Sequence, residues 1–413
     1  MATVAILATL DTKGAESAWL RTHIEALGCD VHVIDVGVHD HGHNVCETPR
    51  FEVAAAAGES IESLVAADDR GRALAAMGRG AAAVVTALQR GGAIDAVLAV
   101  GGSGGSSIAA AAMQALPLGF PKLLVSTMAS GDVAPYIGES DICLMYSVVD
   151  IAGINRISRM VLGNAVAAVT GMAQDYSARP PDDSSDSAPL IGASMFGVTT
   201  PAVDACRKRL EHAGYEVLVF HATGSGGRTL EKLAADGLLD GVLDLTTTEL
   251  ADELVGGVLS AGPDRVTAAG KAGIPQVVST GALDMVNFGA VDSVPSAFLD
   301  RQLYEHNPTV TLMRTTADEC EQLGAALGRK LAAATGPTAL VLPLRGFSAL
   351  DHEGGFFADQ HADAALLTAL RHELSGTDVE VIDFDGHIND DAFAALASET
   401  LLRLLDQKET QNP

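Results

Sequence analysis

The chain has 413 residues, of which 48% are hydrophobic, and its 53 acidic and 26 basic residues give a formal net charge of −27. This charge opposes nucleic acid and anionic membranes as partners, and the length allows two or three domains with large cores. The five cysteines form no CxxC pair, which favours a reducing compartment, and no apolar run approaches the roughly 20 residues of a membrane span. We therefore expect a cytoplasmic protein.

An apolar strand at residues 3–8 opens the chain, and an amphipathic helix is predicted at 14–27. Asp11, Thr12 and Lys13 stand between the two. Asp11 or Thr12 could simply cap the helix. Alternatively, Thr12 and Lys13 bind a phosphate or a ribose, because ligands of open α/β sheets lie at the carboxyl ends of the strands.

Three alternate histidines, His39, His41 and His43, follow the second predicted strand, and this spacing could hold a divalent ion. Short histidine clusters on exposed loops are usually solvated, however, and no second ligand set stands at a recognisable spacing elsewhere. We therefore predict no metal site.

A strand at 97–100 runs into the turn Gly101-Gly-Ser-Gly-Gly-Ser-Ser107 and then into an alanine-rich helix. This order places bare backbone N–H groups at a helix N-terminus, where the helix dipole favours an anion and glycine lets a phosphate approach closely. The turn lacks the lysine of a Walker A loop and the third glycine of the GxGxxG pattern. It is either a phosphate cradle of another kind or a tight turn that needs glycine for packing.

Asp150 follows a later strand end and precedes a long helix. Its carboxylate fits the N-cap of that helix, which is the first interpretation. A contact from Asp150 to a ligand is the second.

The segment 178–189 is polar, contains prolines and lacks periodicity, so we predict a linker between an N-terminal domain, 1–177, and a C-terminal domain, 190–413. A strand, a helix and a strand then follow one another as they do at the start of the chain. Near-continuous apolar strands that alternate with helices are typical of parallel sheets covered on both faces. We expect the α/β class, with two duplicated, Rossmann-like, doubly wound domains and mainly parallel sheets.

The second half has its own glycine loop at 223–228, with the same Gly-Ser-Gly-Gly core. Arg228 could hold a phosphate or carboxylate there, and His221 could move a proton. After a later strand, Arg345, Asp351 and His352 offer a cation, a carboxylate and an imidazole. We predict a second crevice for an acidic small molecule, with these five residues as the candidate catalytic groups if the chain is an enzyme, which the sequence leaves open.

Five segments, 8–14, 100–106, 122–132, 146–155 and 345–351, together resemble the Tm-one-like ATP-binding domain family over nearly the whole chain. The family has a plant member that is a tobamovirus-resistance protein. The resemblance implies two Rossmann-like domains, ATP in the N-terminal one, with or without magnesium, and a homodimer. The plant member also has a C-terminal barrel-like domain, for which this chain has no room, so any activity that needs it implies a separate barrel-domain partner protein.

Transferred to this sequence, the resemblance places the triphosphate on the turn 102–106 with Thr12 and Lys13, and the nucleoside near 127–130. The nucleotide-binding residues that we expect are Asp11, Thr12, Lys13, Gly101, Gly102, Ser103, Gly104, Gly105, Ser106, Thr127, Met128, Ala129, Ser130 and Asp150. The lack of a Walker lysine and of a paired acid for magnesium favours binding over fast hydrolysis. We therefore expect a cytoplasmic ATP-binding protein. The alternatives are a subunit of a small-acid enzyme that acts with a barrel-domain partner, and an interaction protein whose nucleotide is structural.

Overall fold

The computed structural model describes residues 1–40, 42, 45–180 and 188–411. The chain divides into two compact units, Met1–Ser184 and Ser185–Pro413, which are called unit 1 and unit 2 below. The division falls within the segment 178–189, most of which lies outside the described residues. None of the described helices is both long and apolar enough to cross a membrane.

Unit 1 contains a sheet of five parallel strands in the order β2-β1-β3-β4-β5. Its strands are β1 (Thr3–Ala8), β2 (Asp30–Asp35), β3 (Ala96–Gly101), β4 (Lys122–Ser126) and β5 (Cys143–Tyr146). Every residue of β3 and β4 is buried, as near-continuous apolar runs predict for strands covered on both faces. The chain passes from β1 to β2 on one side and then crosses to β3 on the other.

Helices cover both faces of this sheet. One face carries α1 (Leu10–Ala26) and α7 (Arg156–Ala178). The other carries α2 (Arg50–Ala56), α3 (Ile61–Ala67), α4 (Arg70–Arg90), α5 (Ser103–Gln114) and α6 (Ala134–Ile137). Helix α1 starts four residues before the predicted position and has a non-helical backbone at Lys13. Asp11 and Thr12 therefore lie inside its first turn.

Unit 2 contains six parallel strands in the order β14-β13-β9-β8-β6-β7. They are β6 (Leu190–Met195), β7 (Glu216–His221), β8 (Gly241–Thr246), β9 (Gln276–Gly281), β13 (Thr338–Pro343) and β14 (Glu380–Phe384). A separate antiparallel sheet consists of β10 (Met285–Phe288), β11 (Leu303–Asn307) and β12 (Val310–Arg314). The sequence analysis did not predict this smaller sheet.

Seven helices are described in unit 2: α8 (Thr200–His212), α9 (Ser225–Ala235), α10 (Glu249–Val255), α11 (Ala268–Lys271), α12 (Ala317–Ala332), α13 (Gln360–Glu373) and α14 (Asp391–Gln411). Apolar residues of α8 and α14 cover one face of the large sheet, and those of α10, α12 and α13 cover the other.

The first four strands of each unit have the same spatial order, second-first-third-fourth. This shared order, with parallel strands and helices on both faces, confirms the predicted α/β class and its two Rossmann-like domains. Strands β4 and β9 are each the fourth strand of their unit along the chain, and each has a Ser-Thr pair at or near its carboxyl end.

The packing of α4 against α2 requires glycine at position 80. A Cβ atom at Gly80 would lie 1.9 Å from the carbonyl oxygen of Val53, whereas a Cβ atom at Gly171 in α7 would meet no atom within 4 Å. We expect Gly80→Ala to lower the free energy of unfolding by about 1–3 kcal/mol through overpacking. Gly171→Ala is the matched control and should raise it by about 0.5–1 kcal/mol. Urea denaturation followed by circular dichroism measures both, and equal effects of the two variants would contradict this account of the packing.

Candidate functional site

A cleft of about 550 Å³ opens in unit 1 at the carboxyl ends of β1, β2 and β3. It lies where the chain crosses from one side of β1 to the other, which is where open α/β sheets bind ligands. The turns after these three strands supply much of its polar wall, which contains Thr9, Asp11, Thr12, Lys13, Gly37, His39 and Gly101–Gly105. Asp68, Asp69 and Arg70, at the start of α4, add to it. The apolar part includes Leu64, Val65, Ala73, Leu74, Met77 and Ile108. The cleft thus brings together two segments that the sequence analysis selected separately.

The glycine turn forms the start of α5, and no side chain caps this helix. The Ser106 N–H donates to the carbonyl oxygen of Gly102 at 2.9 Å, which is the first i→i−4 bond of the helix. The N–H groups of Ser103, Gly104 and Gly105 therefore belong to an uncapped first turn at the cleft wall. Glycine is also needed for packing here, because a Cβ atom at Gly101 would lie 3.0 Å from backbone atoms of Gly105. The packing interpretation therefore applies to Gly101, and the phosphate-cradle interpretation stays a prediction.

Ser106 does not face the cleft. Its side chain is fully buried, and its Oγ lies 2.6 Å from the Oγ of Ser126 at the end of β4. The Ser106 hydroxyl therefore attaches the turn to the neighbouring strand, and this expected nucleotide-binding residue does not line the cleft.

The segment 127–130 and Asp150 are also outside the cleft wall. Thr127 lies close to the glycine turn, because its N–H donates to the Gly101 carbonyl at 3.2 Å, while Met128, Ala129 and Ser130 form the turn after β4. Asp150 does not cap α7. Asn155 does so instead, since its Oδ1 accepts the N–H groups of Ile157 and Ser158 at 2.9 Å each.

In the segment after β1, Lys13 and Asp11 contact two other loops, and Thr12 contacts its own segment. The Lys13 ammonium donates to the carbonyl oxygen of Ile151, in the segment that follows β5. The Asp11 carboxylate accepts the N–H of His39 at 3.2 Å, and the Thr12 hydroxyl lies 2.8 Å from that of Thr9. All three line the cleft, but Lys13 is already engaged with the backbone. His41 and His43 lie outside the described residues, within which no group of side chains is arranged to hold a metal ion.

Asp35, at the end of β2, is a residue that the sequence analysis missed. Its side chain is fully buried, and its Oδ1 accepts the N–H groups of Leu10 at 3.1 Å and Gly37 at 2.9 Å. These two bonds connect the turns after β1 and β2, which both contribute to the cleft wall. The signal was available in the sequence, because an aspartate that ends an apolar strand must find hydrogen-bond donors if it is buried.

Arg70, the first residue of α4, is the second residue that the sequence analysis missed. It lines the cleft, and its Nη2 lies 3.4 Å from the position that a Cβ atom at Gly104 would take. Within the described part of the chain its guanidinium makes no hydrogen bond or ion pair. A cation in the first turn of a helix opposes the helix dipole, so this placement gains nothing from its own helix. Arg70 instead adds positive charge beside the uncapped turn of α5.

The second glycine loop differs from the first in its place in the sheet. It follows β7, the second strand of unit 2, whereas the first loop follows β3, the third strand of unit 1. Two of its N–H groups are also occupied, because the Oε1 atom of Glu249 accepts those of Gly224 at 2.7 Å and Gly227 at 3.0 Å. The chain's own carboxylate therefore occupies these two groups, and the second crevice for an acidic small molecule stays a prediction.

The five candidate catalytic residues do not converge on one crevice. His221 ends β7 and Arg228 lies in α9, which follows it, whereas Arg345 and His352 follow β13. Four strand spacings separate β7 from β13, which amounts to about 19 Å at roughly 4.8 Å per spacing. Arg345 is exposed and pairs with Asp385 through its Nε at 2.7 Å and its Nη2 at 3.0 Å.

Asp351 lies in a buried acidic cluster rather than in an open crevice. The cluster consists of Asp284, Asp351 and Asp363, with Arg314 as its cation. The Ser348 hydroxyl donates to Asp284 Oδ2 at 2.7 Å, so it has a carboxylate and not His352 as its partner. Burial raises the pKa of Asp284 to about 7, and the nearby Asp351 carboxyl adds to the increase. Burial likewise raises the pKa of Asp363 to about 7.

This cluster predicts a pH-dependent stability. Because the pKa of Asp284 is raised from 3.8 to about 7 by burial, its contribution to stability is fully present below about pH 4 and is lost as the pH rises through about 7. Asp284→Asn removes this ionisation. The free energy of unfolding of the variant minus that of the wild type should therefore increase between pH 5 and pH 8. We expect growth of about 1.4 kcal/mol or more, the equivalent of one pKa unit.

Denaturation curves at several pH values measure this difference. Asp385→Asn is the control, because Asp385 is an exposed partner of Arg345 and its pKa is lowered by that arginine. A constant difference between Asp284→Asn and the wild type across this pH range would contradict the assignment.

The two units correspond to two described domains. Residues 2–178 match the N-terminal domain of the uncharacterised protein family UPF0261, and residues 188–405 match its C-terminal domain. A UPF0261 protein of Clostridium tetani is 48% identical over 404 residues, which cover 98% of this chain and 99% of that protein. A UPF0261 protein of Mesorhizobium japonicum is 47% identical over 395 residues, which cover 95% of this chain and 97% of that protein.

A plant protein is also similar to this chain. The ToMV resistance protein Tm-1 of Solanum lycopersicum is 39% identical over 417 residues, which cover 96% of this chain and 55% of Tm-1. The resemblance inferred from the five sequence segments is thereby confirmed. The chain belongs to the UPF0261 family and is related to the plant protein Tm-1.

Proposed function

We propose that unit 1 binds ATP in the cleft at the ends of β1, β2 and β3. The observation that carries this proposal is the uncapped first turn of α5, which presents three backbone N–H groups at the wall of a 550 Å³ cleft. A phosphate at a helix N-terminus satisfies such groups and interacts favourably with the helix dipole. The choice of ATP among nucleotides rests on the family resemblance.

The two parts of the cleft wall suit the two ends of a nucleotide. Phosphates would lie against Ser103, Gly104 and Gly105, with the Arg70 guanidinium beside them. A base would lie on the apolar part of the wall, which includes Leu74 and Met77. This arrangement moves the base away from 127–130, because that segment does not line the cleft.

Magnesium is part of the same proposal. The carboxylates of Asp11, Asp68 and Asp69 line the cleft and would repel a nucleotide triphosphate. Mg²⁺ is usually held in proteins by one or two carboxylates together with substrate phosphates. A bound Mg²⁺ would therefore offset the repulsion between these side chains and ATP. The five cysteines are free, which supports the proposal of a cytoplasmic location.

The homodimer and the separate barrel-domain partner also stay proposals. The second is supported by the extent of the match to Tm-1, since this chain corresponds to 55% of that protein. A partner that supplies the remainder would make this chain one subunit of a larger assembly.

The phosphate position is tested with Ser103→Asp. Ser103 is exposed at the first position of α5, so a carboxylate there interacts favourably with the helix dipole but repels a phosphate at the same N–H groups. We expect ATP affinity to fall at least about tenfold, which corresponds to about 1.4 kcal/mol, with an unchanged or higher Tm. Isothermal titration calorimetry and thermal melting give the two quantities.

Ser107→Asp is the matched control for this variant. Ser107 is exposed in the same helix but is not part of the cleft wall. It should bind ATP as the wild type does. Wild-type affinity in Ser103→Asp, or no ATP binding by the wild type with magnesium, would refute the proposed site.

Arg70→Ala tests the positive charge beside the turn. An arginine that contacts phosphate should matter for ATP and not for adenosine, because adenosine carries no phosphate. We expect Arg70→Ala to weaken ATP binding about tenfold or more and to leave adenosine binding unchanged. Arg72→Ala is the control, since Arg72 pairs with Glu59 and does not line the cleft. An equal loss for both ligands would mean that Arg70 shapes the cleft without contacting phosphate.

A further inference from the structure

The carboxylate of Glu249 in unit 2 is fully buried at the start of the helix α9. Its Oε1 accepts the N–H groups of Gly224 and Gly227 at 2.7 Å and 3.0 Å, and its Oε2 accepts the Nε–H of Arg265 at 2.6 Å. Three donors therefore converge on one carboxylate, which is the arrangement that protein sites offer to a bound anion.

Glycine at position 227 leaves the room that this carboxylate occupies. A Cβ atom at Gly227 would lie 2.1 Å from Glu249 Oε2 and 2.5 Å from both Oε1 and the carboxyl carbon. Glycine at 224 has a φ of +85°, a conformation that side chains disfavour, which turns its N–H toward the same oxygen. Glycine at position 227 is thus explained by a carboxylate that belongs to the chain itself.

The position of Glu249 in the fold is informative. It is the first residue of α10 and follows β8, the third strand of unit 2. The corresponding turn of unit 1, after the third strand β3, carries Gly102 and Ser103 and lines an open cleft. In the turn after the third strand, unit 2 thus has the carboxylate of Glu249, whereas unit 1 has only the small residues Gly102 and Ser103.

The surroundings of Arg265 explain why the carboxylate stays in place. Arg265 is fully buried and forms a bidentate pair with Asp244, in which its Nη2 lies 2.7 Å from Asp244 Oδ1. Its Nη1 also lies 3.1 Å from an oxygen of Glu231, whose carboxylate accepts the N–H groups of Thr267 and Ala268. Arg265 thus binds one oxygen of the Glu249 carboxylate, and the N–H groups of the glycine loop bind the other.

We propose that Glu249 is a built-in ligand of the second glycine loop, and that its removal converts the loop into a site for a small carboxylate such as acetate. The loop binds an anion in the same way as an open helix N-terminus does, but the anion is covalently part of the chain. This assignment is independent of whether unit 1 binds ATP.

The test compares thermal melting of full-length Glu249→Ala in sodium acetate and in sodium chloride at equal ionic strength. Loss of one partner of a buried ion pair should lower the Tm in chloride by about 6 °C or more. Acetate should occupy the vacated position, so we expect a saturable increase of about 3 °C over chloride at the same concentration. The wild type should melt at the same temperature in both salts.

Glu253→Ala is the matched control. Glu253 lies one turn later in the same helix, is exposed and accepts a hydrogen bond from the Ser260 hydroxyl. It should show no difference between acetate and chloride. The proposal is overturned if acetate and chloride give the same Tm for Glu249→Ala, or if this variant is as stable as the wild type.

A second measurement applies if Glu249→Ala is recovered unfolded. The variant is then refolded from denaturant in acetate and in chloride, and the folded fraction is measured by size-exclusion chromatography. Recovery in acetate alone supports the built-in ligand. Equal recovery, or none in either salt, overturns it, provided that Glu249→Gln, which keeps the shape and one acceptor oxygen, refolds in both.

Discussion

The first N–H groups of every α-helix lack acceptors inside the helix, and this constraint governs both units of the chain. Such groups are satisfied by an acceptor in another part of the protein, by water or by a ligand. In unit 2, α9 finds it in Glu249. In unit 1, the first turn of α5 has no capping side chain and faces a cleft.

The two units meet this constraint differently although the first four strands of their sheets have the same order. In unit 1 the crossing point between β1 and β3 is open, and small residues follow β3. In unit 2 the corresponding point between β6 and β8 is filled, since the hydroxyls of Thr199 and Thr246 lie 2.8 Å apart and both side chains are fully buried. A duplicated topology therefore does not imply a duplicated site, because a few side chains at the strand ends decide whether the space is open.

The sequence predicted the sheets well because strand burial leaves a direct trace in composition. Strands such as β3 and β4 are buried on both faces, so they appear as continuous apolar runs. The rule that ligands of open α/β sheets lie at the carboxyl ends of the strands then pointed to Asp11–Lys13 and the first glycine turn, which line the same cleft. The rule succeeded because it depends on chain direction and not on side-chain detail.

The surroundings of the two glycine loops were predicted less well, because they depend on contacts between residues that are distant in the sequence. The two glycine loops share the letters Gly-Ser-Gly-Gly, but those letters do not reveal that one follows a third strand and the other a second strand. Arg70 reaches the first loop only through the packing of α4 on α5, and Glu249 reaches the second from a different helix. The expectation that Ser106 contacts the nucleotide differs from the structure for a local reason. Successive side chains of a helix point to different sides, and the Ser106 side chain is buried.

Asp35 lowers the entropic cost of binding in the cleft of unit 1, because it orders two turns of the cleft wall before a ligand arrives. Its two hydrogen bonds, to the N–H groups of Leu10 and Gly37, hold the turns after β1 and β2 at a fixed separation through a fully buried carboxylate. Such a wall is preorganised, so a ligand does not have to order these two turns when it binds. For these two turns, the conformational freedom is already lost on folding and not on binding.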